Sequence, residues 1–198
     1  MNLALVYDTE TSGIPLWKQP SEDPGQPHIV TLSASLVDVF EKRIVASMDV
    51  IVKPDGWSIA PEVVEIHGIT EQAAMRFGIP EEVAVDALYA LASAADFRIG
   101  FNEMFDARMI RIGLKRMGDE EAAEAFKAQQ TQCMMRACHK IMGGKWPKLT
   151  EAYRHFFGRE LESAHTSRGD CNATLELFYA LQEQLDTTPV SSGSVGSD

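Results

Sequence analysis

Cysteine is scarce in this chain. Three of its 198 residues are cysteines (Cys133, Cys138 and Cys171), an odd number with no C-x-x-C pair. That excludes a disulfide framework and argues against structural zinc. Reduced thiols suit a cytosolic protein, and a cytoplasmic location is predicted. Long hydrophobic runs are absent too. No segment approaches the roughly 20 apolar residues that cross a bilayer, so no membrane span is predicted. The opening MNLALVYDTE has no basic start and meets an acid at position 8, so it reads as a strand rather than a secretory leader. Positive charge is in deficit: 18 basic against 29 acidic residues, a net charge of −11. Bulk attraction to nucleic acid is thereby excluded, although an acidic site can still meet a polyanion if divalent cations lie between them.

What is present suits one folded domain. Hydrophobic residues make up 45% of the chain and charged residues 24%, enough for a core and too few charges for wholesale disorder. The charge is uneven. Residues 1–97 hold 5 basic and 15 acidic residues, whereas 128–159 hold Arg136, Lys140, Lys145, Lys148, Arg154 and Arg159 against Glu151 alone. That basic stretch is either a solvated face or a phosphate track.

Hydrophobic pattern and turn residues predict the order of elements. Leu3–Tyr7 reads as a buried strand, 11–27 as a Pro/Gly/Ser-rich loop, and Ile29–Asp38 and Arg43–Lys53 as two more strands of an antiparallel meander. Helices are predicted from the Thr70 N-cap to about Arg76 and from Pro80 through Ser93. Phe97–Phe101 reads as a strand. A helix over 103–117 follows, capped by Asn102, with Phe105, Met109, Ile112 and Met117 as core candidates. Further helices are predicted at 119–129, 131–142, 148–157 and 169–185. The domain is expected over 1–186, with 187–198 as a disordered tail. Strands first, then strand and helices, give an α/β domain with a mixed sheet of about five strands flanked by helices.

The acids carry the chemistry. Alternation along a strand places Asp8 and Glu10, in VYDTETSG, on one side. Two carboxylates that close stay ionised together only with a cation between them, and oxygen donors suit Mg²⁺ or Mn²⁺. Asp106 falls one turn into the helix after the strand at 97–101. His165 and Asp170 lie near the start of the last helix. Singly, each has a bland reading: a solvated strand-end acid, a helix N-terminal acid, a capping histidine. Together they stand at strand ends and helix starts, where α/β sites collect.

DTETSG, FNEMFD and the spacing H-x-x-x-x-D resemble the three motifs of the DEDDh 3′–5′ exonuclease family, and IHGIT at 66–70 is similar to a substrate-lining segment of it. That family has a ribonuclease H-like fold and includes the proofreading epsilon subunit of DNA polymerase III. The resemblance spans about residues 3–185. It implies that Asp8 bridges two divalent ions, Mg²⁺ or Mn²⁺, that Glu10 and Asp170 complete one metal site, that Asp106 supports the other, and that His165 is the general base. His165, five positions before Asp170, marks the His subgroup. The resemblance also implies substrate contacts from Asp8, Thr9, Glu10, Thr11, Glu62, His67, Asn102, Phe105, His165 and Asp170. Phe101-Asn102 replaces the His-Asn common before the third acid. Thr166, Ser167, Arg168 and Gly169 replace the usual Asp-Ala-Leu-Ala, so Arg168 puts a cation near the base.

The expected activity is hydrolysis of single-stranded DNA from its 3′ end to nucleoside 5′-monophosphates. An exoribonuclease of the same fold and a catalytically silent nucleic-acid-binding module of a replication complex are the alternatives. A polymerase or replication complex is a candidate partner, although the short tail favours a free-standing enzyme. Trp17, in the 11–27 loop, is a candidate for stacking at the substrate entrance.

Overall fold

The computed structural model describes residues 2–187. Its sheet has five strands in the order β3-β2-β1-β4-β5. Strands β1 (Leu3–Thr11), β2 (Ile29–Asp38) and β3 (Arg43–Ile51) form the predicted antiparallel meander, while β4 (Phe97–Gly100) and β5 (Thr131–Cys133) continue the sheet in parallel on the other side of β1. The helices are α1 (Pro61–His67), α2 (Glu71–Phe77), α3 (Glu81–Ala94), α4 (Glu103–Arg116), α5 (Glu120–Ala128), α6 (Met134–Met142), α7 (Leu149–Phe157) and α8 (Ser167–Thr187). The expected α/β class and the mixed five-stranded sheet are both present. Among the described residues no helix is long and apolar enough to cross a membrane.

Strand alternation divides the core in two. Leu5 and Tyr7 of β1 face a cluster built with Val85 and Leu88 of α3, Met109 and Ile112 of α4, and Phe126 of α5. Ala4 and Val6 face the opposite cluster, with Met134 and Cys138 of α6 and Leu177, Phe178 and Leu181 of α8. Asp8 and Glu10 continue the parity of Ala4 and Val6 and are therefore turned towards α8. Thr9 continues that of Leu5 and Tyr7 and is turned towards α4.

Several local readings change. β1 runs to Thr11, so Asp8 and Glu10 lie within the strand, where pairing to Ser33 and Thr31 of β2 holds their backbone. Helix α1 was not among the predicted elements. It starts with Pro61 in the first turn and closes on Gly68 at φ 76°, a left-handed conformation that suits glycine. Residues 131–133 are a strand rather than the start of a helix, because they pair with Arg98–Gly100. Asn102 occupies the N-cap position of α4, but at ψ 62° its side chain makes no capping hydrogen bond. Met109 and Ile112 are fully buried, Phe105 is partly buried against the same cluster, and Met117 is 36% exposed where α4 ends. Of the tail expected over 187–198, Thr187 closes α8, and 188–198 lie outside the described residues.

Candidate active site

The two faces of β1 receive their partners from different helices. On one side, Asp8 and Glu10 meet Asp170 in the first turn of α8, and each of the three offers a carboxylate oxygen within 4.8 Å of the others. On the other side, Thr9 donates to Asp106 twice, from its backbone N–H (3.0 Å) and from its hydroxyl (2.7 Å), both to Oδ1. Asp106 therefore stands outside the close trio, and neither Thr9 bond uses its Oδ2. The Thr9 side chain, expected to touch substrate, is turned into the protein and holds Asp106 in place.

Electrostatics join the four acids. Burial raises the Asp8 pKa well above the ordinary carboxylate range, and Asp106, Asp170 and Glu10 all push it further. Asp8 is thus the acid that feels the other three. Burial, then Asp170, raises Glu10 to about 7. Asp106 is raised to about 7 by burial, against the lowering effect of the two Thr9 hydrogen bonds. Asp170 is raised to about 6 by burial, opposed by His165. Its Oδ1 is buried without a hydrogen-bond partner. Burial and mutual repulsion hold Asp8 and Glu10 above the solution range, and burial does the same for Asp106 and Asp170, so a cation among them would offset the cost of ionising them. An all-oxygen donor set of three converging carboxylates, one with an orphaned oxygen, fits a hard divalent cation.

His165 lies two residues before α8, exposed, with φ 65°. It is close enough to Asp170 to depress that acid's pKa. A cavity of about 300 Å³ opens beside Glu10, lined by Asp49, His67, Ile69, Ser167 and Arg168 among others. His67 ends α1 and is buried. Its Nδ1 accepts from the Ile69 N–H at 3.1 Å, which puts its proton on Nε2, and that atom has no partner. Burial lowers its pKa and keeps the ring neutral in the wall of the cavity.

The other expected contacts are scattered. Glu62 is exposed in the first turn of α1. The Thr11 hydroxyl donates to the Gly13 carbonyl and holds the turn after β1. Asn102 lines a separate cavity of about 520 Å³ with Met104, Arg136, Lys140 and Trp146. Trp17 lies beside Arg108, Arg111 and Lys127 in a third cavity, away from Glu10. In the basic stretch, Lys145, Arg154 and Arg159 are engaged by Glu151, Glu160 and Glu176, which halves the positive charge available to a phosphate track.

The exonuclease family profile of RNase T matches residues 5–178. The chain belongs to the RNase T exonuclease family. No curated protein matches it by sequence. Among solved structures, this exonuclease chain is similar to E. coli exonuclease I in complex with a dT13 oligonucleotide (TM-score 0.73, 23% identity, 94% of this chain and 43% of that one). It is similar also to the zinc-bound form of the exonuclease I–ssDNA complex (TM-score 0.73, 22% identity, 93% and 41%) and to the exonuclease I/SSB-Ct complex (TM-score 0.72, 21% identity, 94% and 42%). The chain spans less than half the length of those proteins. The likeness shows the ribonuclease H-like fold that the motifs implied.

Two contributors to the site were not singled out from the sequence. Ser33 and Asp49, on β2 and β3, meet the start of α8. Only strand register brings them there, and no local motif announces it.

Proposed function

We propose that the chain removes nucleotides stepwise from the 3′ end of single-stranded DNA, releasing nucleoside 5′-monophosphates. The observation that carries this reading is the convergence of Asp8, Glu10 and Asp170 within 4.8 Å, with Asp106 electrostatically tied to Asp8. The oligonucleotides bound by the exonuclease I structures support the choice of substrate.

Asp8, Glu10, Asp106 and Asp170 would hold two divalent cations, Mg²⁺ or Mn²⁺. When bound, these would offset the phosphate charge and stabilise the entering and leaving oxygens. His165, in an exposed turn beside Asp170, takes the proton from the attacking water. A histidine is suited to this because its unperturbed pKa is about 6.5. The terminal nucleotide lies in the cavity beside Glu10, where His67 forms part of the wall and Ile69 gives it an apolar surface. Thr9 acts through Asp106, which it orients.

The test uses 5′-labelled single-stranded DNA, RNA and duplex ends side by side with Mg²⁺ or Mn²⁺. The wild type should give a descending ladder on single-stranded DNA. Asp8→Ala should lower the rate by roughly three orders of magnitude or more. His165→Ala should lower kcat by about 10² to 10⁴-fold with Mn²⁺ affinity kept. Activity that survives EDTA, or an Asp8→Ala variant as fast as the wild type, overturns the reading.

A further inference from the structure

Register lays a row of three residues across the sheet. Asp8 of β1 is opposite Ser33 of β2, and Ser33 is opposite Asp49 of β3. Directly opposed residues share a face, so the row lies on the side where α8 docks. Ser33 Oγ is 2.5 Å from Asp49 Oδ1 and 2.8 Å from Ser167 Oγ. The single Ser33 proton goes to the carboxylate, so Ser167 is the donor in the second contact. Asp49 uses its other oxygen on Arg168, whose Nε is 3.3 Å from Oδ2. Two consecutive residues at the start of α8 are thus fastened to β2 and β3. They lie between His165 and Asp170.

The segment they fasten is folded tightly on itself. The Thr166 hydroxyl donates to the Ser163 carbonyl at 2.8 Å and accepts from the Gly169 N–H at 3.1 Å. A Cβ on Gly169 would collide with the Ser163 carbonyl oxygen. His165 adopts φ 65°, a conformation that costs a non-glycine residue energy and persists where its surroundings hold it. A turn braced internally moves as a unit, so contacts with the sheet set where the unit lies. Ser167 and Arg168 are two of the four positions at which the chain departs from the usual Asp-Ala-Leu-Ala.

We propose that Ser33, Asp49, Ser167 and Arg168 form a latch whose role is to position His165 and Asp170 against Asp8 and Glu10. They are positioning residues, and the inference rests on the nuclease reading for its kinetic consequences. Arg168 is engaged by Asp49 rather than held in reserve for a phosphate. Asp49 lines the cavity beside Glu10, and its part in the latch is played through Ser33 and Arg168.

The experiment compares wild type, Arg168→Ala, Asp49→Ala, their double variant, Ser167→Ala and the reversed pair Asp49→Arg/Arg168→Asp. It reads kcat, KM, melting temperature, and amide hydrogen exchange over residues 163–170. Each single variant should lower kcat roughly ten- to a hundredfold, as small misplacements of reacting groups do. KM should stay within about twofold, and the double variant should be no slower than the worse single. The reversed pair should recover part of the loss, and exchange over 163–170 should rise in Arg168→Ala, Asp49→Ala and Ser167→Ala alike. Ser167→Ala leaves the charges in place and guards against a charged-residue variant that fails to fold. A higher KM with unchanged kcat in Arg168→Ala, a shallower salt dependence, and a silent Asp49→Ala would make Arg168 a phosphate ligand and overturn the latch. Unchanged exchange over 163–170 overturns it as well. That measurement needs no turnover, so a wild type inactive on DNA sinks the nuclease reading while the latch is judged separately.

Discussion

Binding of a cation should drive protons off this site. Glu10 and Asp106 are raised to about 7 and Asp170 to about 6. A carboxyl with a pKa of about 7 is roughly 9% ionised at pH 6 and roughly 91% at pH 8, whereas one at about 6 goes from roughly 50% to roughly 99%. Only the ionised forms are ligands, so Glu10 raises the apparent Mn²⁺ affinity about tenfold across that range and Asp170 about twofold more, together about twentyfold before the further contribution of Asp8. At pH 6.5 the same two groups together release about one proton per binding event. Isothermal titration of Mn²⁺ in two buffers of different ionisation enthalpy measures both quantities. Stability carries the same sign. Groups whose folded pKa lies above the unfolded value stabilise the fold below the unfolded pKa, near 4.5 for Glu10, and lose that contribution as pH rises through about 7. The cation-free protein should therefore lose melting temperature between pH 5 and 7.5, and Mn²⁺ should restore it. A Mn²⁺ affinity that is flat from pH 6 to 8, with no proton release, refutes the reasoning.

Two further perturbations separate orientation from support. Thr9→Val removes the hydroxyl donor to Asp106 Oδ1, a bond that lowers that acid's pKa, so the pH–rate profile should shift to higher pH, measured at sub-saturating Mn²⁺ where proton and cation compete. Behind the site, Arg98 is buried on β4 and lies 3.2 Å from Glu103 on α4, while the Tyr7 hydroxyl also donates to Glu103 at 2.9 Å. Glu103→Ala leaves that guanidinium uncompensated and should cost about 3–5 kcal/mol in urea unfolding, most of it recovered in Arg98→Met/Glu103→Leu.

Much of the fold was legible in the residues because the signals were local. The β2 limits followed from a β-rich run between turn residues, and the Thr70 cap and the acids after Pro80 marked α2 and α3. The misreadings were tertiary. Residues 131–133 carry no strand pattern of their own and become β5 only because β4 offers an edge. Asn102 has a capping side chain but not the backbone geometry that lets it cap. At the site, period-two alternation placed Asp8 and Glu10 together, and it also explains why Asp106 takes the opposite side of β1 through Thr9. What alternation could not show is which helix meets each face. The contacts of Ser33 and Asp49 with Ser167 and Arg168 depend on a register across three strands and on how α8 docks, and neither is written in any short window of sequence.

The order in which the acids occur along the chain has a consequence for the timing of activity. Asp8 and Glu10 belong to the first strand, and Asp170 arrives on the last helix. A chain emerging during synthesis can lay down all five strands by Cys133 while its acid cluster still lacks the third carboxylate. The sheet is a scaffold that can form early, and the cation site is completed when α8 closes over Ala4, Val6 and their neighbours. Completion of the acid cluster is therefore tied to the docking of α8. A copy in which α8 has not docked lacks the third carboxylate of the cluster.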